Sequence, residues 1–197
     1  AIAQFEKILD KRPGNTSVRW LLNLAYMTLG EYPNRVPSKW RVNASLFETD
    51  YDIKPFLDVA FQLGLDVNGL AGGVVVEDLD RDVDLDLVCS SWGLRDPIRV
   101  FRNDGGTFTD STEASGLAGI TGGLNLVHAD YNNDGREDIL VLRGAWWGAE
   151  GRHPNSLLRN TSRTGELRFE DVTHASGLLS FHPTQTAAWA DYDGDGW

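Results

Sequence analysis

The spacing of hydrophobic residues changes once along the chain, from a helical period to the pattern of short strands. Near the start, apolar positions recur at helical spacing up to Pro13-Gly14, which predicts one helix that ends there. A second helix is predicted from about residue 17 to residue 29, with Gly30 as its C-cap. The positions predicted to be buried on this second helix are Trp20, Leu21, Leu24 and Met27.

From about residue 47 onward, a longer unit repeats three times. Each copy carries F-x-D, then G-L, then an acidic loop, and the copies begin at Phe56, Phe108 and Phe169. The spacing from the glycine to the first loop aspartate is the same in all three copies. A second element, Arg-Asn after an apolar pair, stands before the second and third copies and ends at Asn103 and Asn160.

The residues around the acidic loops are typical of strands. Short runs rich in β-branched residues enter and leave the loops, so about four short strands fit each unit. A repeated four-stranded unit of this length is typical of a β-propeller blade. We therefore predict a mainly β protein, with an N-terminal α-helical hairpin and linker over residues 1–40 and an incomplete set of propeller blades over residues 47–197.

The acidic loops, numbered 1 to 3, are the candidate metal sites. Oxygen side chains stand at positions 1, 3, 5 and 9 of loops 1 and 2, and this spacing surrounds one hard cation. Position 7 supplies a backbone carbonyl, from Asp84 or Arg136. The candidate ligands are Asp78, Asp80, Asp82, Asp84 and Asp86 in loop 1 (residues 78–86), Asp130, Asn132, Asp134, Arg136 and Asp138 in loop 2 (residues 130–138), and Asp191, Asp193 and Asp195 in loop 3 (residues 191–196).

The cation predicted for these loops is Ca²⁺, which tolerates irregular cages of oxygen ligands. An EF-hand is not indicated, because position 12 is Cys89 or Val141 rather than Glu and strand-like sequence follows. Zinc is disfavoured because every donor is oxygen, and Mg²⁺ requires stricter octahedral geometry. The alternative that these are only solvated acidic turns does not explain why the same ligand pattern recurs.

Loop 1 departs from the pattern at position 6, where a glycine is expected and Val83 stands. A β-branched residue at positive φ costs on the order of 1–2 kcal/mol. We therefore expect loop 1 to have either a distorted turn or weaker binding than its charge suggests.

The composition limits the kinds of partner and site that we expect. The formal net charge of −11 argues against nucleic acid or an anionic membrane surface as the main partner. No apolar run is long enough to cross a bilayer. Cys89 is the single cysteine, so neither an internal disulfide nor a cysteine-based zinc site is available. We expect the chain to be a piece of a longer protein, because it starts without Met and stops inside loop 3.

An aromatic pair, Trp146-Trp147, lies on a glycine-rich insertion after loop 2. Adjacent aromatic residues on such a loop form a binding hot spot for a partner protein or a carbohydrate, or they cap the core of the propeller. The sequence leaves both alternatives open.

Residues 1–32 resemble about one tetratricopeptide repeat. The matching positions are Ala1, Phe5, Leu9 and Pro13 for the second helix of one repeat, and Leu22, Tyr26, Gly30 and Tyr32 for the first helix of the next. Asn23 departs from this pattern, because the family usually has Gly or Ala there. The resemblance implies the end of a helical array of the kind that binds proteins.

Residues 47–197 resemble the FG-GAP/VCBS repeat proteins, whose blades carry D-x-D-x-D-G-x-x-D loops. The stretches FRNDGGTFTDSTEASGLAG and ADYNNDGREDILVL look closest to the bacterial relatives of cartilage acidic protein, which often carry tetratricopeptide repeats upstream and an ASPIC/UnbV domain at the end. The resemblance implies a propeller of about seven blades with Ca²⁺ on the blade loops. It also implies a periplasmic, cell-surface or secreted location. In such a location the protein could associate with a membrane through a missing segment or through a partner.

The first functional hypothesis is a non-enzymatic, extracytoplasmic calcium-binding scaffold, an accessory subunit of a larger protein complex. One alternative is a propeller-class hydrolase or lyase that acts on polysaccharide or lipid headgroups, which requires convergent polar residues at the central channel. Another is a lectin-like glycan binder, which aromatic residues grouped beside a metal would favour. The sequence carries none of the standard catalytic motifs that we considered.

Overall fold

The computed structural model describes residues 1–48, 51 and 54–196 of the chain. The chain divides into two compact units, Ala1–Phe56 and Leu57–Trp197. The first contains the longer helices, and the second contains all the strands that the described residues form. Within the described ranges, no helix has the length and apolar character needed to cross a bilayer.

The first unit is built on a pair of helices, as the periodicity predicts. Helix α1 covers Ile2–Lys11 and helix α2 covers Thr16–Thr28, and a short 3-10 helix follows at Ala44–Phe47. Helix α2 begins after Asn15, whose side-chain oxygen accepts a hydrogen bond from the Val18 amide at 3.0 Å.

The buried face of α2 differs from the predicted one. Leu22, Asn23 and Tyr26 are buried, whereas Trp20, Leu21 and Leu24 are exposed and Met27 is half-buried. The Asn23 amide decides the orientation: it donates to the Trp40 carbonyl oxygen at 2.9 Å and accepts from the Val42 amide at 3.0 Å. The chain after α2 therefore packs on the face that presents this amide, and Leu9, Val36 and Trp40 complete the small core.

The second unit contains two four-stranded antiparallel sheets in which strand order follows chain order. The first sheet consists of β1 (Val74–Glu77), β2 (Asp86–Cys89), β3 (Arg99–Asp104) and β4 (Thr107–Asp110). The second consists of β5 (Asn125–Ala129), β6 (Asp138–Leu142), β7 (Ser156–Asn160) and β8 (Phe169–Asp171). A short helix α3 (Ala60–Leu63) precedes the first sheet, and a 3-10 turn (Gly148–Gly151) joins β6 to β7. The prediction of four short strands per repeat is confirmed.

One hydrophobic cluster joins the two sheets. Its fully buried members include Val88 and Val100 from the first sheet and Ile139 and Leu158 from the second. The segment that enters β1 approaches β5 closely at Gly73, where a Cβ atom would clash with the Leu126 backbone nitrogen. Glycine is required there, and the approach brings loop 1, which follows β1, beside loop 2, which follows β5.

The sequence repeat is offset from the sheets. Phe108 and Phe169 of the F-x-D motif lie in the last strands, β4 and β8, so the second and third F-x-D copies each close one sheet, and the G-L turn after the second leads to the next sheet. Leu117 of that turn is 1% exposed and belongs to the cluster that joins the sheets. The Phe169 amide also donates to the Ser115 carbonyl oxygen at 2.8 Å, so the turn after the first sheet is fastened to the last strand of the second.

We expect Leu117→Ala to reduce the free energy of unfolding by about 2–5 kcal/mol, because it opens a cavity in the cluster shared by both sheets. Leu178 stands at the same position of the next repeat and is 43% exposed. Leu178→Ala is the matched control, with an expected change within about 0.5 kcal/mol. Denaturant unfolding followed by circular dichroism measures both, and equal effects would contradict the packing role of Leu117.

Candidate metal centre

The three acidic loops share one backbone turn. Positions 4 and 6 have positive φ in each loop, and the residues at these positions are Arg81 (62°) and Val83 (81°), Asn133 (55°) and Gly135 (80°), and Gly194 (75°) and Gly196 (91°). The recurring spacing seen in the sequence therefore corresponds to a recurring conformation.

Val83 adopts the same φ as the glycine at the equivalent position of loop 2, 81° against 80° at Gly135. Of the two alternatives expected for loop 1, the distorted turn is therefore wrong, and weaker binding stays a prediction. The chain keeps the turn and holds a β-branched residue in the left-handed region, with a side chain that is 89% exposed and makes little compensating contact. Loop 1 is consequently strained already in the absence of a cation.

The first aspartate of each loop holds the turn closed. Asp78 accepts hydrogen bonds from the backbone amides of Asp82 and Val83, at 3.0 and 3.1 Å. The same two bonds recur in loop 2, where Asp130 accepts from positions 5 and 6 at 2.9 and 2.6 Å. Asp191 accepts from the corresponding amides of loop 3, and these backbone hydrogen bonds lower its pKa.

Loop 1 brings three carboxylates together at a buried point. One oxygen from each of Asp78, Asp80 and Asp86 lies within 4.8 Å of the others. Asp80 is 1% exposed, and neither of its carboxylate oxygens has a hydrogen-bond partner among the described residues. Burial raises the pKa of Asp80, and the neighbouring charge of Asp82 raises it further. An ionised group in this position requires a counter-ion, because an unpaired buried charge is costly.

Asp86, at position 9, is fully buried, and its environment is built by the adjacent strand. It accepts from the Leu79 amide at 3.1 Å and from the Asn103 amide at 2.9 Å. Burial nevertheless raises the pKa of Asp86 to about 6, and the charge of Asp80 contributes in the same direction. An all-oxygen set around a buried carboxylate pair fits a hard divalent cation such as Ca²⁺.

The other two candidates in loop 1 also bond within the fold. Asp82 accepts from the Asp84 amide at 2.9 Å, and the Asp84 carboxylate accepts from the Gly105 amide at 2.7 Å. The Asp84 side chain therefore fastens the β3–β4 hairpin, which agrees with the assignment of its backbone carbonyl, rather than its carboxylate, to the cation.

Loop 2 has the same turn with a different charge arrangement. Asp138, at position 9, is fully buried, and one of its oxygens has no partner among the described residues. Burial raises the pKa of Asp138 to about 6, with a further contribution from the charge of Asp134. The Arg136 guanidinium, however, lies 2.7 Å from an Asp134 oxygen, and Asn132 accepts from the Asp134 amide. A cation in loop 2 must therefore compete with Arg136 for Asp134.

Loop 3 is open to solvent. Asp191, Asp193 and Asp195 each place an oxygen within 4.8 Å of the others, but all three are exposed. The structure therefore brings together three carboxylates in loop 1 and three in loop 3, whereas no such trio of loop 2 acids forms among the described residues.

The sequence reasoning missed the role of two asparagines. The backbone amide of Asn103 donates to the Asp86 carboxylate at 2.9 Å, and the backbone amide of Asn160 donates to the Asp138 carboxylate at 2.7 Å. Each asparagine side chain also bonds a carbonyl of the loop, that of Leu85 in loop 1 and that of Glu137 in loop 2. The signal was the recurring Arg-Asn element, which holds the position 9 carboxylate in place.

The Trp146-Trp147 pair lies away from these loops. The β1–β2 and β5–β6 connections carry loops 1 and 2. The β2–β3 and β6–β7 connections therefore lie at the opposite ends of the strands, because neighbouring strands are antiparallel. Trp92, from the β2–β3 connection, packs against both residues with ring centroids 6.0 and 5.6 Å away. Trp146 remains 62% exposed.

Comparison with known proteins identifies the repeat. Residues 78–141 match the model of the FG-GAP-like repeat. This segment runs from the first aspartate of loop 1 through the first sheet and loop 2 into β6. No curated protein matches the chain. The region described above therefore carries an FG-GAP-like repeat, a class that often binds calcium.

We expect Val83→Gly to raise the free energy of unfolding by about 1 kcal/mol, with or without Ca²⁺, because it relieves a left-handed β-branched residue while glycine adds unfolded-state entropy. Val83→Ala is the control, since it retains a Cβ atom and should gain less. Thermal unfolding in EDTA and in Ca²⁺ measures both variants. A glycine variant no more stable than the alanine variant would show that position 83 is not strained.

Proposed function

We propose that the region from Leu57 onward is part of a calcium-binding scaffold, and that loops 1 and 2 each hold one Ca²⁺. The observation that carries this proposal is Asp80, a buried carboxylate with two unpartnered oxygens beside Asp78 and Asp86. A bound divalent cation supplies the positive charge that this group of acids requires. The buried, partnerless oxygen of Asp138 supports the same role for loop 2.

The role of the cation in this proposal is structural. The position 9 aspartates accept hydrogen bonds from β3 and β7, so each loop is tied to the middle of its own sheet. Fixing the loop therefore fixes the sheet. This function requires no catalytic group.

The sheets are best explained as blades of a β-propeller, of about seven blades in the whole protein by resemblance to the family. Apolar side chains are exposed in the first strand and after the last strand of the two-sheet region, which supports further blades. In β1 these are Val74 (56%) and Val76 (44%), and after β8 they include Leu179 (47%) and Phe181 (56%). Large exposed apolar surface is typical of an interface.

The remaining parts of the proposal come from the resemblance stated above. The α1–α2 hairpin is proposed as the remnant of a tetratricopeptide array, and the repeats as those of a bacterial relative of cartilage acidic protein. An extracytoplasmic setting suits calcium-binding loops of this kind. Extracellular modules bind Ca²⁺ with dissociation constants of roughly 10⁻⁴–10⁻³ M. In that setting the protein serves as an accessory subunit that presents surfaces to other proteins.

Calcium binding is tested by titration calorimetry of the full chain with Asp80→Asn. We expect the variant to lose binding at loop 1 and the accompanying rise in melting temperature, because the neutral amide removes one ligand charge from a buried site. Asp66→Asn removes the same charge from an exposed position and is the matched control. A chain that neither binds Ca²⁺ nor gains stability from it would overturn the proposal.

The cluster formed by Trp92, Trp146 and Trp147 is the proposed partner-binding surface. Its indole rings pack together at the ends of the strands opposite the acidic loops, and part of their surface is exposed to solvent. The double variant Trp146→Ala/Trp147→Ala should lose the stoichiometric subunits that purify with the native protein, while its melting temperature stays near that of the parent. Leu29→Ala, at the same 62% exposure as Trp146, is the control. Unchanged assembly, or turnover on a panel of polysaccharides, would count against the scaffold role.

A further inference from the structure

Loops 1 and 2 are joined by a single buried side chain. The Asn160 amide nitrogen donates to the Leu79 carbonyl oxygen of loop 1 at 2.9 Å and to the Glu137 carbonyl oxygen of loop 2 at 3.1 Å. Asn160 is fully buried. Leu79 lies between Asp78 and Asp80, and Glu137 precedes Asp138, so this one amide fixes peptide groups next to candidate ligands in both loops.

A second link runs along the outside of the loops. The guanidinium of Arg81, at position 4 of loop 1, donates to the carbonyl oxygens of Asp134 (3.3 Å) and Gly135 in loop 2. The same relation recurs one repeat later, where Asn133, at position 4 of loop 2, donates to the Gly196 carbonyl oxygen of loop 3 at 2.7 Å. Position 4 of one loop therefore reaches position 6 of the next in two successive repeats.

These links connect positions that a cation would order. Binding of an ion to one loop fixes the backbone of that loop and costs conformational entropy. The hydrogen-bonded peptide groups of the neighbouring loop are ordered in the same step, so the second ion loses less entropy when it binds. A second ion then enters a loop that is already partly ordered, which is positive coupling. Repulsion between two divalent ions opposes this effect, so positive coupling requires that the shared ordering of the backbone outweigh that repulsion.

We propose that loops 1 and 2 bind Ca²⁺ cooperatively, with Arg81 and Asn160 as positioning residues that transmit occupancy from one loop to the other. This inference rests on the proposed calcium-binding function. It makes the pair of loops, rather than the single loop, the unit that responds to calcium. The coupling is reciprocal, so either loop, when filled, strengthens the other.

The test measures loop 2 while loop 1 is disabled. In the full chain, the Gly135 amide resonance reports Ca²⁺ binding at loop 2, and Asp80→Asn removes binding at loop 1. We expect Asp80→Asn to weaken calcium binding at loop 2 by at least about fivefold, the lower end of typical coupling. In an Arg81→Ala background, the same substitution should change loop 2 much less, which completes a double-mutant cycle.

The controls separate coupling from charge and from folding. Arg95→Ala removes the same charge from an exposed arginine, and it should leave the fivefold effect intact. Asn160→Ser should also abolish the effect. If that variant unfolds, Arg81→Ala, at an exposed position, decides the question. If the parent chain binds Ca²⁺ at both loops but the loop 2 midpoint is unchanged by Asp80→Asn, the coupling alone is overturned. If the parent chain binds Ca²⁺ at neither loop, the proposed function is overturned as well.

Discussion

The burial of aspartate oxygens is the constraint on which the repeat region depends. Asp80, Asp86 and Asp138 are all 0–1% exposed, and three of their oxygens have no hydrogen-bond partner among the described residues. Burying an ion costs roughly several kcal/mol even after relaxation, so such groups persist where a counter-ion compensates them. The nearby arginines do not fill this role, since Arg102 pairs with Asp104 and Arg136 with Asp134.

The sequence repeat and the sheets are offset from each other, so the constraint on one acidic loop also affects the neighbouring repeat. The F-x-D at Phe108 closes the first sheet, and Leu117 of the G-L turn after it packs in the cluster shared with the second sheet. Asn160 extends the same overlap to the loops, because it bonds backbone of both. The sheets and the acidic loops are thus not independent modules, because defined hydrogen bonds and packing contacts connect one repeat to its neighbour.

The element types and much of the candidate site were predictable because they depend on local order along the chain. The strands beside loop 1, the four-strand unit and the shared turn of the three loops follow from spacing that recurs. The face of α2 was not predictable from periodicity, since both faces carry apolar residues and a single buried amide, Asn23, selects between them. The role of Asn160 was also missed, because its partner Leu79 is far away in sequence.

The sequence by itself determined the repeat, the order of the acidic residues within each loop and the all-oxygen set of candidate ligands, because these are properties of contiguous residues. Only the tertiary structure decided which acids lose contact with water, that Val83 keeps the glycine-like turn, and that adjacent loops share hydrogen bonds. Burial and the hydrogen bonds between loops depend on residues that are distant along the chain, whereas the turn at Val83 is held within loop 1 by hydrogen bonds to Asp78.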